Sequence, residues 1–320
     1  MSTVPSDRDA ARILALPTYH WDVAEVGDEA PPFAHVVTAA DIAAYCEAVG
    51  NSNPIYTDQA AARVGPFGGI VAPPSFAFMV GPQRRNEVMH AKGFAAPEEK
   101  GEYQTPYAKC ELRLQRPIRP GDTVVSRVYL AAKLERRGKR FAQWRVDASG
   151  SGAEPFFDYD YVTVWPEGPG VGTAAAPASP DPLPDIPEAE ALPSITKHET
   201  QAAIDRYARL TRLRPRVGTN LHQDPEFARR TLFGGTANAG VATLAYCAEV
   251  MERAYGPAAL LRPGARIEYK GIRPIRAGDE ITLRARTSAR SDRTHEAQIW
   301  VHAQDGGLRG VGSATAIVGN

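Results

Sequence analysis

His222 lies in the loop VGTNLHQDPE, two residues before Asp224. A neutral imidazole titrates near physiological pH, so it can take a proton from one substrate atom and return it to another. Asp224 has two readings: a partner that orients the ring, or a cap for a helix opening at Pro225. Gly240 begins the apolar run GVATLAYCAEVMERAYG. That run reads as a long buried helix ended by Gly256 and Pro257. The backbone N–H at its start sits at the positive end of a helix, where about half a unit of positive charge can polarise a carbonyl. The alternative is a glycine needed because helix and sheet approach closely. Asn238 is the nearest polar side chain to that start, and Gly234 and Gly235 read as backbone punctuation. Arg206, Arg209, Arg212, Arg214 and Arg216 place five cations within eleven residues. They form either a solvated helix face or a set of guanidinium forks for phosphate oxygens.

Two copies of one unit must position these residues. Phe67-Gly68-Gly69 matches Phe233-Gly234-Gly235 at an offset of 166 (233 − 67), and the block Asn53 to Asp58 matches Thr219 to Asp224 at the same offset. Arg116 to Asp122 (RPIRPGD) matches Arg273 to Asp279 (RPIRAGD) at an offset of 157 (273 − 116). Ordered matches of this kind indicate a duplicated domain. Between the copies, residues 166–193 hold eight of the 27 prolines and no aromatic residue, the composition of an extended linker. The expected division is 1–165, a linker over 166–193, and 194–320.

Each copy predicts the same element order. Thr38 with Asp41, and Thr196 with Glu199, look like capping boxes. Apolar residues follow at helical spacing: Ile42, Tyr45, Cys46 and Val49 in one copy, Ile204, Tyr207 and Leu210 in the other. Period-two alternation then appears at Val124 to Leu130 and Ile281 to Ala285. Further strands are expected at 141–147, 156–165, 296–302 and 310–318, with Lys133 to Arg140 as a hairpin tip. The pattern is α+β: a curved antiparallel sheet wrapped on helices, continuous across both copies.

Composition narrows the function. Lys plus Arg equals Asp plus Glu at 37 each, so no net field recruits nucleic acid or anionic lipid. Cys46, Cys110 and Cys247 are odd in number, far apart and lack a metal-type spacing, so neither disulfide framework nor zinc site is expected. With no basic-then-apolar leader and no apolar run long enough to span a bilayer, the expectation is a cytoplasmic protein. GxxxxGK[ST], GxGxxG, HExxH and GxSxG are absent, which removes phosphate-loop, dinucleotide, zincin and α/β-hydrolase chemistry.

The blocks GNSNPIYTDQAAARVGPFGGIVAPPSF, LRLQRPIRPGD, TNLHQDPEFARRTLFGGTANAG and YKGIRPIRAGD resemble the MaoC-like, or hydratase 2-like, dehydratases. The resemblance implies a double hot-dog fold: two tandem hot-dog domains whose sheets join around two long helices, a pseudo-dimer in one chain that is compatible with a homodimer. It implies reversible hydration of a trans-2-enoyl thioester of CoA or acyl carrier protein to a (3R)-hydroxyacyl thioester, without a cofactor. The family motif D-x-N-P-[LI]-H supplies a carboxylate and an imidazole, and the N–H at the hot-dog helix start polarises the thioester. Carried over, His222 is the acid/base, Asp224 its candidate helper and Gly240 the carbonyl donor. The motif's Asp falls on Val217 and its Asn on Thr219, so the second copy lacks the carboxylate. In the first copy Asn51 replaces Asp, Asn53 is kept and Tyr56 replaces His, which marks the half that shapes the substrate tunnel. Asn51, Asn53, Tyr56, Phe67 and its neighbours to Phe78, Gly235, Asn238, Arg214 and Arg216 are the expected substrate contacts. Glu249 on the long helix is one possible substitute carboxylate. Two other readings fit the eroded motif: a thioester-binding partner subunit, or a cyclase that adds a substrate hydroxyl intramolecularly.

Overall fold

The computed structural model describes residues 7–80, 84–165, 181, 183–210, 220–231 and 233–319. Most of the proline-rich segment, Val217, Thr219, Arg212, Arg214 and Arg216 therefore lie outside the described residues. The strands are β1 (Phe33–Val36), β2 (Tyr107–Leu114), β3 (Thr123–Arg136), β4 (Lys139–Ser149), β5 (Pro155–Trp165), β6 (Ala191–His198), β7 (Arg266–Gly271), β8 (Glu280–Arg290), β9 (Thr294–Ala303) and β10 (Leu308–Ile317). The helices are α1 (Asp7–Leu14), α2 (Ala39–Val49), α3 (Gln59–Val64), α4 (Arg85–Ala91), α5 (Gln201–Leu210), α6 (Pro225–Arg229) and α7 (Gly240–Tyr255).

All ten strands form one sheet in the order β1-β3-β4-β5-β2-β7-β10-β9-β8-β6. The order reads the same from either end once each strand is replaced by its repeat partner, so the duplication appears as a twofold-like sheet. The halves meet where β2 pairs antiparallel with β7, Lys109 to Arg113 against Lys270 to Arg266. Alternation sets the faces there: Cys110, Leu112, Ile267 and Tyr269 are buried. On the other face Lys109 Nζ meets Glu268 Oε2 at 2.5 Å. The β3–β4 hairpin turns through Arg137 and Gly138, both at positive φ (51° and 72°), the tight turn expected at the basic tip.

The capping box at α2 is present, with Thr38 accepting from Asp41 N and Asp41 accepting from Thr38 N. Its counterpart is displaced. Thr196 lies in β6, paired with Thr282 of β8, and Thr200 accepts from Ala203 N to start α5. Edge pairing with β8 takes the first hydroxyl and leaves the second for the helix. For the same reason the linker boundary at 193 falls inside β6, where Leu192 pairs with Ala285.

One long helix, not two, lies on the sheet among the described residues. Val241 to Glu252 of α7 are all buried, and fully burying a side chain such as Leu244 or Met251 contributes about 1.5–3 kcal/mol. The first-half counterpart is a 3-10 stretch, Pro74–Val80, followed by the short α4. Proline lacks an N–H and crowds the preceding turn; Pro73 and Pro74 stand at the start of this segment, whereas α7 contains none. No helix among the described residues is long and apolar enough to cross a membrane.

Candidate active site

His222 sits in a turn set by side-chain to backbone bonds. Asn220 Oδ1 accepts from His222 N at 2.9 Å and from Gln223 N at 3.2 Å, and Gln201 of α5 donates to His222 O at 2.9 Å. Gln201 in turn accepts from Thr236 Oγ1, tying the turn to the segment before α7. His222 Nδ1 lies 2.7 Å from Ala237 O. A carbonyl only accepts, so Nδ1 carries the proton and Nε2 is the basic nitrogen.

The imidazole lines a cavity of about 540 Å³ between the halves. The second half contributes His222, Phe233, Asn238, Gly240, Thr243 and Ile275; the first contributes Arg85, Glu98, Gln104, Thr105, Phe141 and Tyr161. The first turn of α7 thus faces the space that His222 faces. Its cap residue, Ala239, makes no side-chain cap bond, which leaves the first N–H groups of the helix to other acceptors. Gly240 is also required sterically, because a Cβ there would overlap the Tyr107 ring.

Behind Asn238 is an acid whose role sequence reading assigned to capping. Asn238 Nδ2 donates to Glu199 Oε1 at 3.2 Å and to Thr243 Oγ1 at 3.1 Å. Glu199 is 3% exposed, and burial raises its carboxyl above the usual range. Aligning the repeats on backbone bonds finds it. Val37 N donates to Asp122 O and Gly121 N to Val37 O, while Glu199 N donates to Asp279 O and Gly278 N to Glu199 O. A core valine in one copy is a buried glutamate in the other. The internal repeat held this signal, masked by the Thr196-Glu199 cap pattern.

Other expected site residues fall elsewhere. Asp224 accepts from Phe227 N at 2.9 Å and caps α6. Asn51, Asn53, Tyr56, Phe67 and Gly235 are not among the described residues lining the cavity. Asn53 caps the turn Pro54–Tyr56, Phe67 packs against the main core while its counterpart Phe233 lines the cavity, and Gly235 rests against Arg276. Phe76 and Phe78, expected to line the tunnel, are fully buried core residues and do not line this cavity, whereas Arg85, Glu98, Gln104 and Thr105 do. Glu249 pairs with Lys197 at 2.6 Å and Arg253 at 2.7 Å. At nine residues beyond Gly240, it is about 13 Å along the helix from the cavity end. Arg206 of the arginine run reaches Glu47 at 3.6 Å on α2.

Asn51 and Tyr56 form a separate buried cluster. Glu252, near the end of α7, accepts from Asn51 Nδ2 at 2.9 Å and Tyr56 Oη at 2.7 Å. Burial pushes the Glu252 carboxyl up to about 7.

The sheet and the paired sites define a double hot-dog protein. A MaoC-like dehydratase matches with a TM-score of 0.72 at 16% identity over 93% of this chain and 99% of that one. A MaoC-like dehydratase of Phytophthora capsici matches at 0.65 and 15% identity over 97% and 98%. A Mycobacterium tuberculosis protein described as having a double hot-dog fold matches at 0.62 and 16% over 94% and 98%. No curated protein matches the sequence. Residues 24–143 match the family model described as the FAS1-like dehydratase domain region, and over most of its length the chain shares the fold of these solved structures.

Proposed function

We propose that this chain is a hydro-lyase that interconverts trans-2-enoyl and (3R)-hydroxyacyl thioesters of CoA or acyl carrier protein, with His222 as its acid/base. The observation that carries this reading is the imidazole fixed through Nδ1 at the wall of a cavity that also receives the first turn of α7. In dehydration Nε2 takes the C2 proton and returns it to the hydroxyl leaving C3, which departs as water; in hydration the same nitrogen deprotonates water and protonates C2. One imidazole balances both directions, so the carboxylate absent from the motif is not needed as a proton carrier. The Gly240 N–H polarises the thioester carbonyl as negative charge develops on it. Asn238, held by Glu199 and Thr243, shapes the cavity beside that helix start. Lys139, exposed at the cavity, offers a cation for carrier phosphates, with Arg214 and Arg216 proposed for the same role.

Crotonyl-CoA and longer enoyl-CoAs are the test. The expected result is loss of enoyl-thioester absorbance with a product heavier by one water. Product of unchanged mass from a hydroxy-enoyl substrate would make the protein a cyclase instead, and tight binding without turnover would make it a thioester-binding subunit.

A further inference from the structure

Four first-half side chains that line the cavity each keep a hydrogen-bonding atom that no protein group satisfies: Arg85 Nε, Glu98 Oε2, Gln104 Nε2 and Thr105 Oγ1. Glu98, Gln104 and Thr105 are 3%, 8% and 5% exposed, so bulk water does not meet these needs. An unmet buried donor or acceptor costs about 1–3 kcal/mol, and native proteins hold few of them. Four among the first-half residues of one cavity are a built polar lining, beside the apolar Phe141, Val164, Phe233 and Ile275 and apart from His222, Asn238 and Thr243 of the second half.

Charge and donor type narrow what fills it. Arg85 Nη2 meets Glu98 Oε1 at 2.7 Å, so the cluster is balanced: an added carboxylate would face Glu98, an added ammonium Arg85. A neutral group fits. Arg85 and Gln104 offer donors, Glu98 an acceptor, and Thr105 either. A carbonyl accepts only and leaves Glu98 unmet; an alkyl chain leaves all four unmet. A hydroxyl accepts from Arg85 or Gln104 and donates to Glu98.

Resting on the thioester reading above, we infer that the acyl chain of the substrate carries a second hydroxyl, remote from the reacting carbons, which Arg85, Glu98, Gln104 and Thr105 recognise. The lining then sets specificity, and simple alkyl chains are the poorer substrates.

Matched enoyl-CoAs with and without a terminal hydroxyl, over a ladder of chain lengths, test this in two assays: turnover by the wild type, and calorimetric binding to His222→Ala. At one chain length the hydroxylated member is expected to be favoured at least about tenfold in kcat/KM and in Kd, the worth of one net hydrogen bond. In the double variant Gln104→Leu/Thr105→Val that ratio is expected to fall toward one. Equal treatment of both members at every length by the wild type would overturn the inference and leave the hydro-lyase reading standing. Selective binding of the hydroxylated member without turnover of either would remove the hydro-lyase reading and keep the polar subsite. A ratio unmoved by the double variant would overturn the assignment to this wall.

Discussion

The two copies of the hot-dog unit place the same elements around two different outcomes. In the second copy the loop imidazole of His222 and the start of α7 share an open cavity. In the first copy the corresponding Tyr56, at the repeat offset of 166, donates to Glu252 in a buried cluster with Asn51. The helix starts differ in the same sense. Gly240 corresponds to Pro74, which has no N–H to offer a carbonyl. Equivalent backbone bonds frame both: Asn238 N to Ile275 O, and Ala72 N to Ile118 O. The second copy brings an imidazole and a helix start to one cavity; the first brings Asn51 and Tyr56 to a buried carboxylate and has a proline at the matching helix start. The C-terminal end of α7 thus carries the carboxylate of the first-copy cluster, while its N-terminal end lines the cavity beside His222.

This contrast can be broken most severely at the two loop residues. His222→Ala is expected to lower kcat/KM for hydration by about 100- to 10,000-fold with the fold retained. Tyr56→Phe leaves one Glu252 oxygen unmet and is expected to cost about 1–3 kcal/mol in urea unfolding, with kcat within about twofold of wild type. Equal activity losses in both variants would erase the distinction between the copies.

Gly240→Ala comes next. The added methyl overlaps the Tyr107 ring, so about 1–3 kcal/mol of stability should be lost through overpacking, and activity should fall as the helix start shifts. Pro74→Ala should leave activity near wild type. Wild-type stability and activity in Gly240→Ala would contradict the packing described.

The buried carboxylate predicts a pH dependence. Glu252 has an ordinary value near 4.5 when unfolded and about 7 in the fold, where burial penalises its charge. The folded state holds the proton more tightly, so the contribution of this group is full below about 4.5 and is lost as pH rises through 7. In Glu252→Gln the amide oxygen can accept from Asn51 and the amide nitrogen can donate to Tyr56, so the cluster survives without titrating. Wild-type stability relative to this variant should fall by about 3 kcal/mol between pH 4.5 and 7 and then level off. A difference constant with pH would overturn the titration.

Asp224→Ala should have the smallest effect, about 1 kcal/mol from the lost cap on α6, with kcat unchanged. A tenfold loss of kcat would return Asp224 to the chemistry.

Much of this was legible from residues. The repeats, the strands of alternating residues, the α2 capping box and α7 follow from local spacing, and the family motifs locate His222 and Gly240. Other features depend on long-range pairing. Thr196-Glu199 mimics a cap, yet β6 pairs with β8 and turns Glu199 inward beside Asn238. The fragmented first-half helix follows from prolines that were visible but outweighed by the expectation of symmetry. Arg85, Glu98, Gln104 and Thr105 belong to no motif and share a cavity with His222 only through the pairing of the two halves. Nor does the repeat pattern reveal that Tyr56 and Asn51 bind a carboxylate about 200 residues away, since such a contact has no local signature.

A crystal structure of the protein with a saturated or thioether analogue of the enoyl-CoA substrate is the most direct test of an open second site and a closed first one. The account requires the ligand carbonyl beside Gly240 N, its C2 and C3 beside His222 Nε2, and Glu252 still held by Asn51 and Tyr56. An acyl chain seated at Asn51 and Tyr56 with Glu252 displaced, and the His222 cavity empty, would contradict it.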